Sequence, residues 1–176
     1  MPLGICVKFA ECACNTVAKM GKTVVRGVIR WLDLPPVWLF AMLGLSFALD
    51  QLVPGMGFEW WGGKAMGNAF VVLGVLLMGA AVIPFMLQKT SVIPRQRPKA
   101  FVKGGVYRIS RNPIYLGDAL VLAGCVLRWD VLPALLFVPA FVWIITARFI
   151  LGEEAGLRDV FGAEYENWAA QVRRWI

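Results

Sequence analysis

The chain has 176 residues, a formal net charge of +7 and a mean hydropathy of +0.67; 59% of its residues are hydrophobic and only 16% charged. Soluble domains average about 45–50% apolar and about 25% charged residues, so disordered, low-complexity and ordinary cytosolic-enzyme readings fall behind that of an integral membrane protein. Histidine is absent, which removes imidazole metal ligands, Ser-His and Cys-His nucleophile pairs and histidine proton shuttles.

The leading 33 residues hold Cys6, Cys12 and Cys14. None forms a Cys-x-x-Cys, so reduced thiols are expected and a metal site is not. Lys8 and Glu11 break the first apolar stretch, so no signal peptide is read there. Val17 to Trp31, with four cations among valines and isoleucines, is expected to lie on the membrane surface. Four apolar runs follow: Leu34 to Val53, Ala65 to Leu87, Pro113 to Leu127 and Val131 to Ala147. About 20 residues cross a ~30 Å hydrocarbon layer, and the last two runs, joined by Arg128, Trp129 and Asp130, read as a tight helical hairpin. Gly74, Gly79, Ala80 and Ala81 in the second run suit close helix contact. The last 25 residues repeat Leu157, Phe161, Tyr165, Trp168, Val172, Trp175 and Ile176 at spacings of three and four, which predicts one amphipathic interfacial helix.

The expected fold is therefore an all-α integral membrane protein of four transmembrane helices with a C-terminal interfacial amphipathic helix. It divides into 1–33 as an amphipathic segment, 34–87 as the first two spans and 88–176 as the catalytic region. Lys and Arg fall sixteen to two in favour of the side that carries both termini and the 88–112 connection. That asymmetry predicts cytoplasmic termini, and a nucleic-acid partner is not expected because the cations hug membrane ends.

Two polar stretches interrupt this apolar background. Lys103 to Gly117, KGGVYRISRNPIYLG, places Tyr107, Arg111, Asn112 and Tyr115 at the border of the basic loop and the third span, with Pro113 suited to start a helix. Arginines near a helix N-terminus favour a carboxylate or phosphate, and phenol rings can stack on a heterocycle. The second stretch, Glu153-Glu154 followed by Phe161-Gly162 and Tyr165, lies just past the fourth span. Adjacent carboxylates in such a place are commonly solvated. The hairpin brings both stretches to one membrane face, however, so they are expected to share a cleft suited to a zwitterionic, nucleotide-like ligand. Asp118 sits one turn into the third span below that cleft. Intramembrane carboxylates are costly and hence functional candidates, although solvation at the interface is an equal alternative for this one.

The order Arg-Asn-Pro-x-Tyr-x-Gly, membrane hairpin, Glu-Glu-x-x-Leu-x-x-x-Phe-Gly-x-x-Tyr and a Val-x-Arg-Trp end resembles the isoprenylcysteine carboxyl methyltransferases and their bacterial relatives, with phospholipid N-methyltransferases more distant. The resemblance covers about residues 88 to 176. It implies a membrane enzyme that uses S-adenosylmethionine to methylate a small lipophilic acceptor, without a metal, in the inner membrane of a bacterium. Carried over by position, cofactor contacts fall on Lys99, Ala100, Phe101, Val102, Tyr107, Arg111, Asn112, Pro113, Ile114, Tyr115 and Glu153. Catalytic roles fall on Glu154 and Arg148. Many members have histidine where Asn112 stands. The family's substrate-carboxylate arginine falls on Phe149, one position from Arg148, which counts against a prenylcysteine carboxylate acceptor. A nicotinamide-dependent membrane reductase of similar architecture and a non-enzymatic scaffold are the alternatives.

Overall fold

Residues 34–53, 57, 62–87 and 101–176 are described by the computed structural model. The expected surface segment Val17 to Trp31, the three leading cysteines, the 1–33 division, and Lys99 and Ala100 lie outside the described residues. The chain divides into two compact units, Met1–Val37 and Trp38–Ile176, and both polar stretches belong to the second.

Among the described residues all regular structure is helical: α1 (Pro35–Leu52), α2 (Gly63–Leu87), a 3₁₀ turn at Gly105–Arg108, α3 (Pro113–Trp129), a 3₁₀ turn at Leu132–Leu136, α4 (Phe137–Ile145), a π-helical turn at Thr146–Ile150, α5 (Leu151–Phe161) and α6 (Ala163–Ala169). The turns at Leu132 and Thr146 do not interrupt the rod, and Leu132–Phe161 forms one 30-residue helical stretch. Among the described residues three helices are long and apolar enough to cross a membrane: Pro35–Leu52, Gly63–Pro84 and Leu132–Phe161. Helix α3 has 17 residues, about 25 Å at 1.5 Å per residue, a little under the hydrocarbon thickness.

Helices α1, α3 and α4 share one core. Leu39 and Met42 meet Tyr115, Ala119, Leu122 and Val126 of α3 and Phe141, Ile145, Phe149 and Ile150 of the long rod. Many large apolar side chains point outward instead, among them Phe40, Leu45, Leu73, Leu76, Ile83 and Trp143, the pattern of helices that face lipid.

Glycines set the α2–α3 contact. A Cβ on Gly124 would lie 2.6 Å from the Gly67 carbonyl oxygen, and one on Gly74 would lie 2.6 Å from that of Gly117. These two antiparallel pairs, seven residues apart on each helix, let the backbones touch. The expectation for the small residues of α2 therefore holds at Gly74 and at fully buried Ala81, whereas Gly79 faces open space.

The α3–α4 hairpin closes on a left-handed residue. Asp130, at φ 57°, follows α3; its N–H donates to Leu127 O and that of Val131 to Val126 O. This is the Schellman arrangement, with Val131 buried beside Val126 as that motif favours.

The single C-terminal amphipathic helix is corrected. Gly162, at φ 48°, separates α5 from α6, and regular helix ends at Ala169. The three-and-four spacing marked a common face, but Tyr165 on it is fully buried in protein, and Trp168 packs on Phe101 with ring centroids 5.0 Å apart.

Gly124→Ala is expected to lower stability by about 1–3 kcal/mol through overpacking at the helix crossing, while Gly79→Ala is neutral or slightly stabilising. Thermal unfolding in detergent tests this, and equal melting of the two variants contradicts the assigned contact.

Candidate functional site

The two polar stretches meet. The Tyr115 hydroxyl donates to Glu153 Oε1 at 2.7 Å, joining the first turn of α3 to the first turn of α5. Beside it, Glu154 is buried between two guanidinium groups. Arg174 donates from Nε and Nη2 to the two Glu154 oxygens at 2.9 and 2.7 Å, and Arg111 Nη1 lies 3.3 Å from Oε1. The bidentate fork matches carboxylate geometry and fixes its orientation. Glu154 holds the Arg174 guanidinium above the usual arginine range, chiefly through that hydrogen bond. The solvated reading of the pair is thus replaced for Glu154, whose residue is 6% exposed.

The C-terminal tail completes the junction. Arg111 N–H donates to Arg173 O at 3.0 Å, and Asn112 Nδ2 and Ser110 Oγ donate to Arg174 O at 3.1 and 3.3 Å. Trp175 Nε1 donates to Thr146 Oγ1 at 3.2 Å, and that hydroxyl donates to Val142 O, so the tail is also tied to the π-turn. Asn112 stands at the N-cap of α3, but its side chain makes no cap bond and serves the tail; Pro113 follows at N1. The first amides of α3 therefore keep their donor capacity.

Around the clamp the other expected residues sort into two groups. Phe101 stacks on Phe161 at 5.2 Å and meets Tyr165 and Trp168, and the Tyr165 hydroxyl accepts from Arg111 Nη1 at 3.5 Å. Lys103 pairs with Glu164 and lies over the Phe101 ring. Val102, Tyr107 and Ala81 form a second small core with Ile114 and Trp168 packed against it. The Tyr107 hydroxyl donates to Ala81 O at 3.4 Å, and burial, reinforced by the Glu153 charge, pushes its pKa up. Burial likewise raises Tyr165, with Arg111 opposing, so both phenols stay protonated.

Arg148 is exposed, its guanidinium over the Trp38 ring of α1 at 5.3 Å, while Phe149 is buried in the main core. Asp118 is 4% exposed, one turn into α3. Sequence reasoning assigned no role to Arg174 or Ser110. The Val-x-Arg-Trp ending was the available signal, but nothing in a linear pattern says that Arg174 reaches Glu154 and Asn112.

The phospholipid methyltransferase family profile matches residues 63–164, a span from α2 into α6 that includes the whole Tyr115–Glu153 junction. The chain belongs to the isoprenylcysteine methyltransferase family. It is 31% identical over 122 residues to protein-S-isoprenylcysteine O-methyltransferase B of Arabidopsis thaliana, covering 68% of this chain and 61% of the relative. It is 30% identical over 139 residues to a probable protein-S-isoprenylcysteine O-methyltransferase of Oryza sativa subsp. indica, covering 74% and 72%. Protein-S-isoprenylcysteine O-methyltransferase A of Arabidopsis thaliana is 30% identical over 139 residues, covering 76% and 70%. No solved structure matches significantly.

Removing one partner of a buried ion pair leaves an uncompensated charge, so Glu154→Gln is expected to destabilise the family member by about 2 kcal/mol or more, and Glu153→Gln by clearly less. Urea unfolding in mild detergent measures both, and the reverse order contradicts the clamp. Tyr107 supplies a pH test. A phenol whose folded pKa is raised adds stability below its unfolded pKa of about 10 and loses it as pH rises beyond that value. The stability difference between wild type and Tyr107→Phe is therefore expected to shrink or reverse above pH ~10; a pH-independent difference counts against burial as the cause.

Proposed function

We propose that this chain is an integral membrane methyltransferase, with four spans and cytoplasmic termini, that uses S-adenosylmethionine to methylate a small lipophilic acceptor. The carrying observation is the Tyr115–Glu153 hydrogen bond beside the Arg111–Glu154–Arg174 clamp. It unites, at one end of the helices, the two motifs that the family profile also spans. The relatives named above are methyltransferases by name, which favours this reading over a nicotinamide-dependent reductase or a scaffold.

The residues present fit such a cofactor. Two buried donors, Arg111 Nε and Trp168 Nε1, have no hydrogen-bond partner among the described residues, and buried donors are normally satisfied. They flank the α3 N-terminus, where Asn112 leaves the first amides uncapped by its side chain. Arg111 and those amides would hold the amino-acid carboxylate, Glu153 the ammonium, and Tyr107, Ile114, Tyr115 and the Phe101–Val102 segment the nucleoside, with Lys99 and Ala100 preceding it. When bound, S-adenosylmethionine supplies a sulfonium methyl suited to in-line displacement.

The chain's own task is alignment and water exclusion. Tyr115 fixes the Glu153 carboxylate, so that side chain enters the site already oriented. Glu154, held by Arg111 and Arg174, ties α5 to the α3 N-terminus, which places it in a positioning role. Arg148 would meet acceptor headgroups at the rim near α1. A lipophilic acceptor would enter laterally between the helices, and the water-soluble donor from the cytoplasmic face.

Titration of purified protein with S-adenosylhomocysteine and with NADPH is the test. Saturable binding of the first, weakened about tenfold or more in Glu153→Gln, is expected; binding of NADPH alone overturns the reading.

A further inference from the structure

The indole N–H of Trp168 is the polar group that the packing of α6 leaves over. Its Nε1 is buried without a hydrogen-bond partner among the described residues, although a buried indole N–H normally finds one. Trp175, in the tail, shows the ordinary outcome: its Nε1 donates to Thr146 Oγ1. The phenols near Trp168 are each engaged elsewhere. The Tyr165 hydroxyl accepts from Arg111, the Tyr107 hydroxyl donates to Ala81 O and the Tyr115 hydroxyl donates to Glu153.

The surroundings of the indole define what can meet it. Gly162 reverses the chain, and Trp168, one helical turn past buried Tyr165, is carried against Phe101 with the two rings at 85°. It also packs on the small core of Val102, Tyr107 and Ala81, beside Ile114. The other orphan donor, Arg111 Nε, belongs to a guanidinium that already faces Glu154. The two donors therefore serve different chemistry. A carboxylate pressed into the aromatic wall would lose its water for a single N–H, whereas a flat, uncharged heterocycle loses little and offers a lone pair at its edge.

We propose that Trp168 is a cofactor-contacting residue, whose indole N–H donates to a ring nitrogen of the adenine of S-adenosylmethionine. The inference rests on the methyl-transfer reading above and brings α6 into the site, since the described positions carried over to the cofactor lie in α3, at the start of α5 and in the segment before α3. Selectivity follows from the donor-only character of the indole. Adenine carries unprotonated ring nitrogens at positions 1, 3 and 7. Replacing the one that Trp168 meets by C–H leaves the indole buried and unpaired again, and an unmet buried donor is penalised more than a made bond is rewarded.

The test measures calorimetric binding to the full chain in detergent, using S-adenosylhomocysteine and its 1-deaza, 3-deaza and 7-deaza analogues. Wild type is expected to bind one analogue about tenfold more weakly than S-adenosylhomocysteine. W168F and W168M keep an apolar side chain and lose the donor. Both are expected to bind S-adenosylhomocysteine about tenfold more weakly than wild type and to hold that one analogue as well as the parent, because the two losses share one bond. Thermal unfolding shows whether each variant is folded, and a wild-type readout needs no variant at all: with nitrogen-15 tryptophan, one indole proton is expected to shift downfield on binding S-adenosylhomocysteine and not on binding that analogue. Equal binding of all four ligands by wild type, unchanged affinity for S-adenosylhomocysteine in a folded variant, an analogue penalty that persists without the indole, or no such proton shift each overturns the contact. Failure of wild type to bind S-adenosylhomocysteine overturns the methyl-transfer reading instead, and this inference with it.

Discussion

Glu154 is a carboxylate withdrawn from water, and the way its charge is met organises the polar end of the molecule where the two motifs meet. Desolvating it costs several kcal/mol, which only good geometry with cationic donors offsets. The two donors come from far apart in the chain, Arg111 from the turn before α3 and Arg174 from the tail. Meeting that one requirement brings three segments together: the 3₁₀ turn and α3 N-terminus, the start of α5, and the last residues of the chain. The neighbouring Glu153 is thereby delivered to Tyr115.

The glycine crossing of α2 and α3 performs the complementary task on the apolar side. Because Gly67 meets Gly124 and Gly74 meets Gly117, the two backbones run in contact, and the far end of α2 arrives at the 3₁₀ turn. There Ala81 accepts the Tyr107 hydroxyl. A polar site at a membrane surface needs such a wall, since electrostatic orientation works best where water is thinned out.

Much of this frame was legible in the sequence. The apolar runs Leu34 to Val53 and Ala65 to Leu87 became α1 and α2 within two residues at each end, because length and hydropathy dictate membrane helices almost alone. The hairpin at Arg128-Trp129-Asp130 followed from two adjoining runs with no room for another connection, and the meeting of Tyr115 with Glu153 followed from the hairpin. Contacts made across about sixty residues were beyond reach. Asn112 to Arg174 is one, and the partnership of Gly67 with Gly124 is another. The aromatic spacing of the C-terminal region was a sound signal for a shared face, but periodicity cannot say whether that face meets lipid or protein. Tyr165 meets protein, and the reversal at Gly162 that allows it requires a backbone angle only glycine adopts cheaply.

The π-turn at Thr146–Ile150 has a bearing on how this architecture tolerates change in chain length. A π-turn holds one residue more than the α-helical path needs, so everything downstream is rotated by about 100° relative to an uninterrupted rod. Glu153 and Glu154 are aimed at Tyr115 and the two arginines with that extra residue in place. The turn is stapled by the Trp175 indole through Thr146, so phase and tail are coupled. An indel anywhere between Val142 and Leu151 would act as a gear shift: the rod would remain as apolar and as long as before, while both carboxylates swung away from their partners.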